Sequence, residues 1–78
     1  MKTTHIVLRV VNGVRTVDSY WCRENTAKDQ AKDQAIGLAH RDPAKAARTW
    51  FLVAPICDGT AINDLPVLFT ADPMDWVR

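Results

Sequence analysis

The chain begins with two segments rich in apolar residues, one on each side of a single turn signal. Two runs rich in β-branched residues, 4–11 and 14–23, flank the dipeptide Asn12-Gly13. Asparagine and glycine tolerate the positive φ angles of a type I′ turn. The pattern therefore predicts a β-hairpin.

The two faces of this hairpin differ in character if Val11 pairs with Val14. The face expected to join the core carries Ile6, Leu8, Val10, Val17 and Trp21. The second face carries His5, Val7, Arg9, Thr16, Asp18 and Tyr20. Because this second face mixes apolar, charged and aromatic side chains, we expect it to be open to solvent or used for binding.

Residues 26–41 have helical spacing and include a repeated Ala-Lys-Asp-Gln unit. We expect Thr26 to be the N-cap of this helix, with Asp29 completing an imperfect capping box. Four residues turn a helix by about 400°, so each letter of the repeat forms its own stripe. The small-residue stripe, suited to close packing on a sheet, is Ala27, Ala31, Ala35 and Leu38. The charged stripes are expected to be a solvated face, with a docking surface as the alternative.

Pro43 disfavours helix at Asp42, and Asp42 is then placed to cap a short helical turn. A third strand over 49–56 has apolar residues on both faces, as inner strands do. One of its faces carries Trp50, Leu52 and Ala54, and the other carries Phe51 and Val53. A fourth strand over 65–70 follows, where Pro66 suits an edge. The last helical turn is predicted at Asp72-Pro73.

Together these elements predict one α+β domain spanning residues 1–78. Its order is strand, strand, helix, strand, strand, with one antiparallel sheet and the helix packed on one face. A chain this short buries only about 60% of its unfolded surface, so a roomy catalytic cavity is not expected. The apolar runs are far shorter than the roughly 20 residues of a membrane span, and the polar start lacks a signal-peptide profile. We expect a cytoplasmic protein with two free thiols, Cys22 and Cys57.

We find no familiar catalytic motif in the sequence, which has one serine and two histidines, His5 and His40. Neither a nucleophile elbow, a zinc-protease helix nor a phosphate-binding glycine loop occurs. We therefore expect no enzyme, no metal and no cofactor. A nucleophile and base pair of Cys22 with His5, across the hairpin, is the alternative.

Charge and aromatic residues point to binding rather than catalysis. Residues 1–50 carry nine basic and five acidic side chains, a net charge of +4, whereas residues 51–78 carry one and four, a net charge of −3. Tyrosine and arginine often anchor protein interfaces, so Arg9 and Tyr20 are the predicted anchors of an open sheet face. A nucleic-acid-binding hairpin, using Arg9, Arg15 and Arg23 with Tyr20 and Trp21, is the alternative. A pI near 7.8 argues against strong direct nucleic-acid binding.

The segments "VLRVVNGVRTV", "TAKDQAKDQAIGLAH" and "TWFLVAPI" together resemble small ββαβ-type proteins of bacteriophages and mobile elements, including compact anti-CRISPR proteins. The resemblance covers about residues 4–70 and rests on length and element order, without a diagnostic motif. It implies a non-enzymatic inhibitor in a bacterial host that binds a CRISPR effector complex and blocks target DNA recognition. Many such inhibitors are acidic DNA mimics, but this chain has a net charge of +1. Residues left for local mimicry are Asp58, Asp64, Asp72 and Asp75. Homodimerisation remains open.

Overall fold

The computed structural model describes residues 2–77. Its strands and helices are β1 His5–Val11, β2 Val14–Trp21, α1 Glu24–Arg41, α2 Pro43–Ala46, β3 Thr49–Pro55 and β4 Phe69–Ala71. Short 3-10 turns span Ile62–Asp64 and Pro73–Trp76. The sheet has the order β2-β1-β3-β4, and every neighbouring pair is antiparallel. The predicted α+β architecture is confirmed.

The predicted hairpin turn is also confirmed. Asn12 has a φ of 52° and Gly13 a φ of 81°, and Val11 pairs with Val14. An added Cβ at Gly13 would meet no atom within 4 Å, so the positive φ, rather than crowding, favours glycine there.

A β-bulge at Asp18 changes the faces of β2. The register pairs Leu8 with Val17 but Val7 with Ser19, so Asp18 is an extra residue. Because one extra residue inverts the alternation beyond it, Tyr20 pairs with Ile6 and falls on the face opposite to Val7. Trp21 instead packs against the cluster that contains Val7. The prediction for these two aromatic residues was therefore wrong.

Helix α1 covers the face of the sheet that the sequence predicted to be open. Val7, Phe51 and Val53 are almost completely buried on this face, called here the helix side. They pack against the predicted small-residue stripe, which is buried throughout: Ala27, Ala31, Ala35 and Leu38. The stripe is confirmed, but the expectation of an open face was wrong. The physical reason is that β1 lies between β2 and β3 and has apolar residues on both faces.

The opposite face, called here the loop side, is covered by segment 56–68. Its buried residues are Ile6, Leu8, Val10, Leu52, Ala54 and Leu65. The Arg15 guanidinium fixes the segment by donating to the carbonyl oxygens of Ile62 at 3.0 Å and Leu65 at 3.2 Å. The predicted fourth strand therefore begins too early, since Leu65 is needed in this cluster and β4 starts only at Phe69.

The start of α1 also differs from the prediction. Arg23 holds the N-cap position without a side-chain bond, so the predicted capping by Thr26 was wrong. Glu24 lies in the first turn, where its charge favours the positive end of the helix dipole. Its carboxylate also lies 3.0 Å from Lys28 Nζ, and this hydrogen bond and charge lower the pKa of Glu24.

The predicted cap at Asp42 and the predicted last turn at Asp72-Pro73 are confirmed. Asp42 accepts a hydrogen bond from the backbone N–H of Lys45 at 3.1 Å and starts α2. Asp72 accepts from the backbone N–H of Met74 at 3.0 Å and starts the last turn. Of the helices between residues 2 and 77, none has the length and apolar character needed to cross a membrane.

Exchanging Lys32 and Asp33 is expected to change the free energy of unfolding by less than about 1 kcal/mol. Both residues are exposed on α1. We expect the repeat to serve as scaffold, and the exchange leaves the buried alanine stripe unaffected. Urea unfolding of both proteins measures the difference. A larger loss of stability, or loss of partner binding with intact folding, would contradict the assignment of the charged stripes as scaffold.

Candidate functional site

Strand β2 lies at one end of the sheet and leaves its outer edge without a strand neighbour among residues 2–77. It has eight residues, whereas the strand at the other end, β4, has three. The unpaired N–H and C=O groups of an edge strand are a template for pairing with another chain. Between residues 2 and 77, the outer edge of β2 is therefore the longer of the two sheet edges open for strand addition.

Three large apolar side chains of β2 are exposed to solvent. Val14 is 62%, Val17 42% and Tyr20 59% exposed. Val17 and Tyr20 pair with Leu8 and Ile6, which places them on the loop side. Residues 14–20 thus combine free backbone groups with exposed apolar side chains, and we call them the β2 edge.

Sequence reasoning found only part of the β2 edge. Tyr20 was a predicted anchor, whereas Val17 was expected in the core and Val14 was not selected. Their exposure follows from the position of β2 at the end of the sheet. The order of the strands, which local patterns do not show, is the information that was missing.

Arg9, the second predicted anchor, lies on the helix side, away from Tyr20. Its Nη2 donates to Oδ1 of Asp18 at 3.0 Å, and its guanidinium lies 5.7 Å from the centroid of the Phe51 ring. The Asp18 side chain is only 9% exposed. Arg9 and Tyr20 therefore do not form one surface, which corrects the predicted arrangement.

The four predicted acidic residues are divided between two parts of the molecule. Asp58 and Asp64 belong to segment 56–68 on the loop side. Asp72 and Asp75 belong to the last turn, whose Trp76 packs against the helix-side cluster. The structure does not gather the four carboxylates into one acidic surface.

The cations and aromatic residues of the hairpin are divided in the same way. Arg15 is bound to loop-side carbonyl groups, as is shown by its two hydrogen bonds. Trp21 is partly buried on the helix side, where its Nε1 donates to Oγ of Ser19 at 2.7 Å. A single stacking platform of Arg9, Arg15, Tyr20 and Trp21 is therefore not assembled.

Cys22 and His5, the pair weighed for catalysis, both lie beside the Thr4 hydroxyl. The Thr4 hydroxyl donates to the carbonyl oxygen of Cys22 at 3.0 Å and lies 2.8 Å from Nδ1 of His5. Cys22 is exposed, Cys57 is partly buried, and both are free. Over residues 2–77, no three His, Cys, Asp or Glu side chains are close enough together to hold a metal ion.

Comparisons with protein-family models, curated proteins and solved structures found no match to this chain.

Proposed function

We propose that this protein is a non-enzymatic protein-binding module, an inhibitor or adaptor, that binds its partner through the β2 edge. The observation that supports this proposal is an eight-residue edge strand with three exposed apolar side chains. Most of both faces of the sheet is covered, one by α1 and the other by segment 56–68, although Trp50 on the loop side is 41% exposed. The β2 edge is the accessible part of the sheet that combines free backbone groups with three exposed apolar side chains.

The proposed mode of binding is strand addition. An extended segment of the partner pairs with the backbone of β2, and pockets for alternate side chains give specificity. Val17 and Tyr20 would contact the partner on the loop side, and tyrosine is among the residues that contribute most at interfaces.

The partner is proposed to be a different protein rather than a second copy. A bulge within an edge strand twists the edge and disfavours long, flat pairing with an identical strand. The bulge at Asp18 divides β2 into two shorter stretches. Such a strand suits a short extended segment of another protein.

The finer proposal is that the partner belongs to a CRISPR effector complex in the cytoplasm of a bacterial host. It rests on the resemblance in length and element order to compact anti-CRISPR proteins. The divided acidic residues favour a local contact over a broad imitation of DNA. Asp58 and Asp64 share the loop side with Tyr20 and could add charge complementarity beside the β2 edge.

Replacing Val17 with Lys and Tyr20 with Ala together is expected to weaken partner binding at least about thirtyfold, the cost of losing one strong anchor. The matched control replaces Val67 with Lys and Leu68 with Ala, which are 45% and 43% exposed but lie outside β2. Tagged proteins are used to recover partners from a bacterial lysate, and affinity is then measured with the purified partner. Circular dichroism checks that each variant folds. Loss of binding only in the control would place the interface on segment 56–68 instead.

The class of partner is tested separately. No binding to random DNA or RNA tighter than micromolar is expected in a gel shift at about 150 mM salt. A shift at nanomolar protein would favour the nucleic-acid alternative.

The CRISPR proposal is tested by a plaquing assay, in which the protein should protect phage on hosts with active CRISPR systems. Absence of protection and of recovered effector subunits would remove the CRISPR proposal while leaving strand addition to be judged by the β2 variants.

A further inference from the structure

A small pocket opens on the helix side, where the C-terminal part of α1 meets α2, β1 and β3. Its volume is about 50 Å³, and it is lined by Arg9, Leu38, Arg41, Lys45 and Phe51. Leu38 and Phe51 are buried and give it an apolar floor. The other three residues are cations, and no acidic residue lines the pocket.

Two of these three cations lack a carboxylate partner in the described chain. Arg9 pairs with Asp18, but no Asp or Glu oxygen of residues 2–77 lies within 4.0 Å of the charged nitrogens of Arg41 or Lys45. Asp42 is adjacent in sequence, and its Oδ1 caps the Lys45 backbone N–H. The C-terminal end of α1 supplies only roughly half a negative charge. The pocket therefore keeps a net positive charge.

Arg9 is held in place and yet has an unused donor. Asp18 binds its Nη2, and the Phe51 ring lies beneath its guanidinium. Its Nε is buried and has no hydrogen-bond partner within residues 2–77. Buried donors without a partner are rare in folded proteins, so the Arg9 guanidinium retains hydrogen-bonding capacity at the pocket that this residue lines.

We propose that this pocket binds a dianionic phosphate group, either inorganic phosphate or the phosphate end of a small phosphomonoester. Arginine forks and a lysine ammonium are the side chains that bind phosphate oxygens, through paired hydrogen bonds and a point charge respectively. A dianion balances both uncompensated cations, whereas a carboxylate would balance only one. The small volume admits the phosphate group alone, and an ester substituent extends to solvent past the exposed Arg41 and Lys45.

The test is a nuclear magnetic resonance titration of the ¹⁵N-labelled protein. Inorganic phosphate and O-phosphoserine are added in separate series, each matched by sodium chloride at equal ionic strength. Saturable shifts are expected at the Arg9 Nε–H signal and at backbone signals around the pocket. Saturation by phosphate alone identifies the free ion as the ligand, and tighter binding of phosphoserine identifies a monoester.

Variants of exposed residues keep the test independent of folding. Arg41→Gln and Lys45→Gln are each expected to weaken phosphate binding at least about tenfold, as loss of one charge-assisted contact does. The matched controls Arg48→Gln and Lys32→Gln remove exposed cations that do not line the pocket and should leave affinity unchanged. Equal shifts with chloride, or unchanged phosphate affinity in the double variant of Arg41 and Lys45, would overturn the proposal.

Discussion

Replacing Phe51 with alanine is expected to lower the free energy of unfolding by about 3–5 kcal/mol. Phe51 is 1% exposed and lies in the cluster between β3 and the alanine stripe of α1. Alanine would leave a cavity there, because the helix and sheet cannot collapse fully around it. A domain of this length has a total stability of roughly 4–12 kcal/mol, so the variant would be close to unfolding. Urea unfolding followed by circular dichroism measures the change.

Trp50 is the matched control for Phe51. It is the preceding residue in β3, points to the other side of the sheet and is 41% exposed. Trp50→Ala is expected to cost about 1 kcal/mol or less, as substitutions at partly exposed sites usually do. Equal losses for the two variants would contradict the placement of α1 over the Phe51 face.

The features that the sequence predicts well are set by nearby residues. Asn12 and Gly13 readily adopt the two positive φ angles of a tight hairpin turn, and both angles are observed. Residues spaced by four share a helix face, so the joint burial of Ala27, Ala31 and Ala35 follows from their spacing together with their small apolar side chains. Each of these predictions needs information from only a few neighbouring residues.

The choice of sheet face depends on contacts that are distant in sequence. Val7 and Leu8 are neighbours on opposite faces of β1, and both are 0% exposed. Alternation cannot say which face receives α1 when both are apolar. Segment 56–68, which covers the loop side, was predicted to be a loop followed by a strand. It is held on the sheet by single residues such as Leu65 and by the Arg15 side chain of β2, and such contacts leave no local sequence pattern.

The position of the candidate site was also mispredicted, because it depends on contacts that are distant in sequence. Tyr20 was predicted to be exposed with Arg9 on an open face, but the bulge places it on the loop side. Because α1 and segment 56–68 cover most of both faces, the strand at the end of the sheet carries the most exposed apolar side chains, and identifying that strand requires the order β2-β1-β3-β4. The proposed interface therefore shifted from a face of the sheet to its edge, with Tyr20 retained and Arg9 assigned to the phosphate pocket.

Deleting Asp18 is expected to lower the free energy of unfolding by about 2 kcal/mol, because Arg9 loses the charge-assisted hydrogen bond to its carboxylate partner. Without the extra residue, Ser19 follows Val17 directly, so regular alternation keeps Ser19 opposite Val7 and Trp21 opposite His5. The packing of Trp21 on the helix side and its bond to Ser19 are therefore expected to survive the deletion. Urea unfolding measures the loss.

Asp18→Asn is the matched control for this deletion, because it keeps the residue count and the bulge while removing the charge that pairs with Arg9. It is expected to cost about 1 kcal/mol, since asparagine keeps an oxygen that can accept from Arg9 and only the charge of the acceptor is lost. Both variants are expected to bind normally at the β2 edge, because the deletion and Asp18→Asn alike leave Tyr20 beside Ile6. Loss of binding in the folded deletion variant alone would show that the partner depends on the twist of the bulged strand rather than on the faces of its side chains, and the proposed interface would then have to include the bulge.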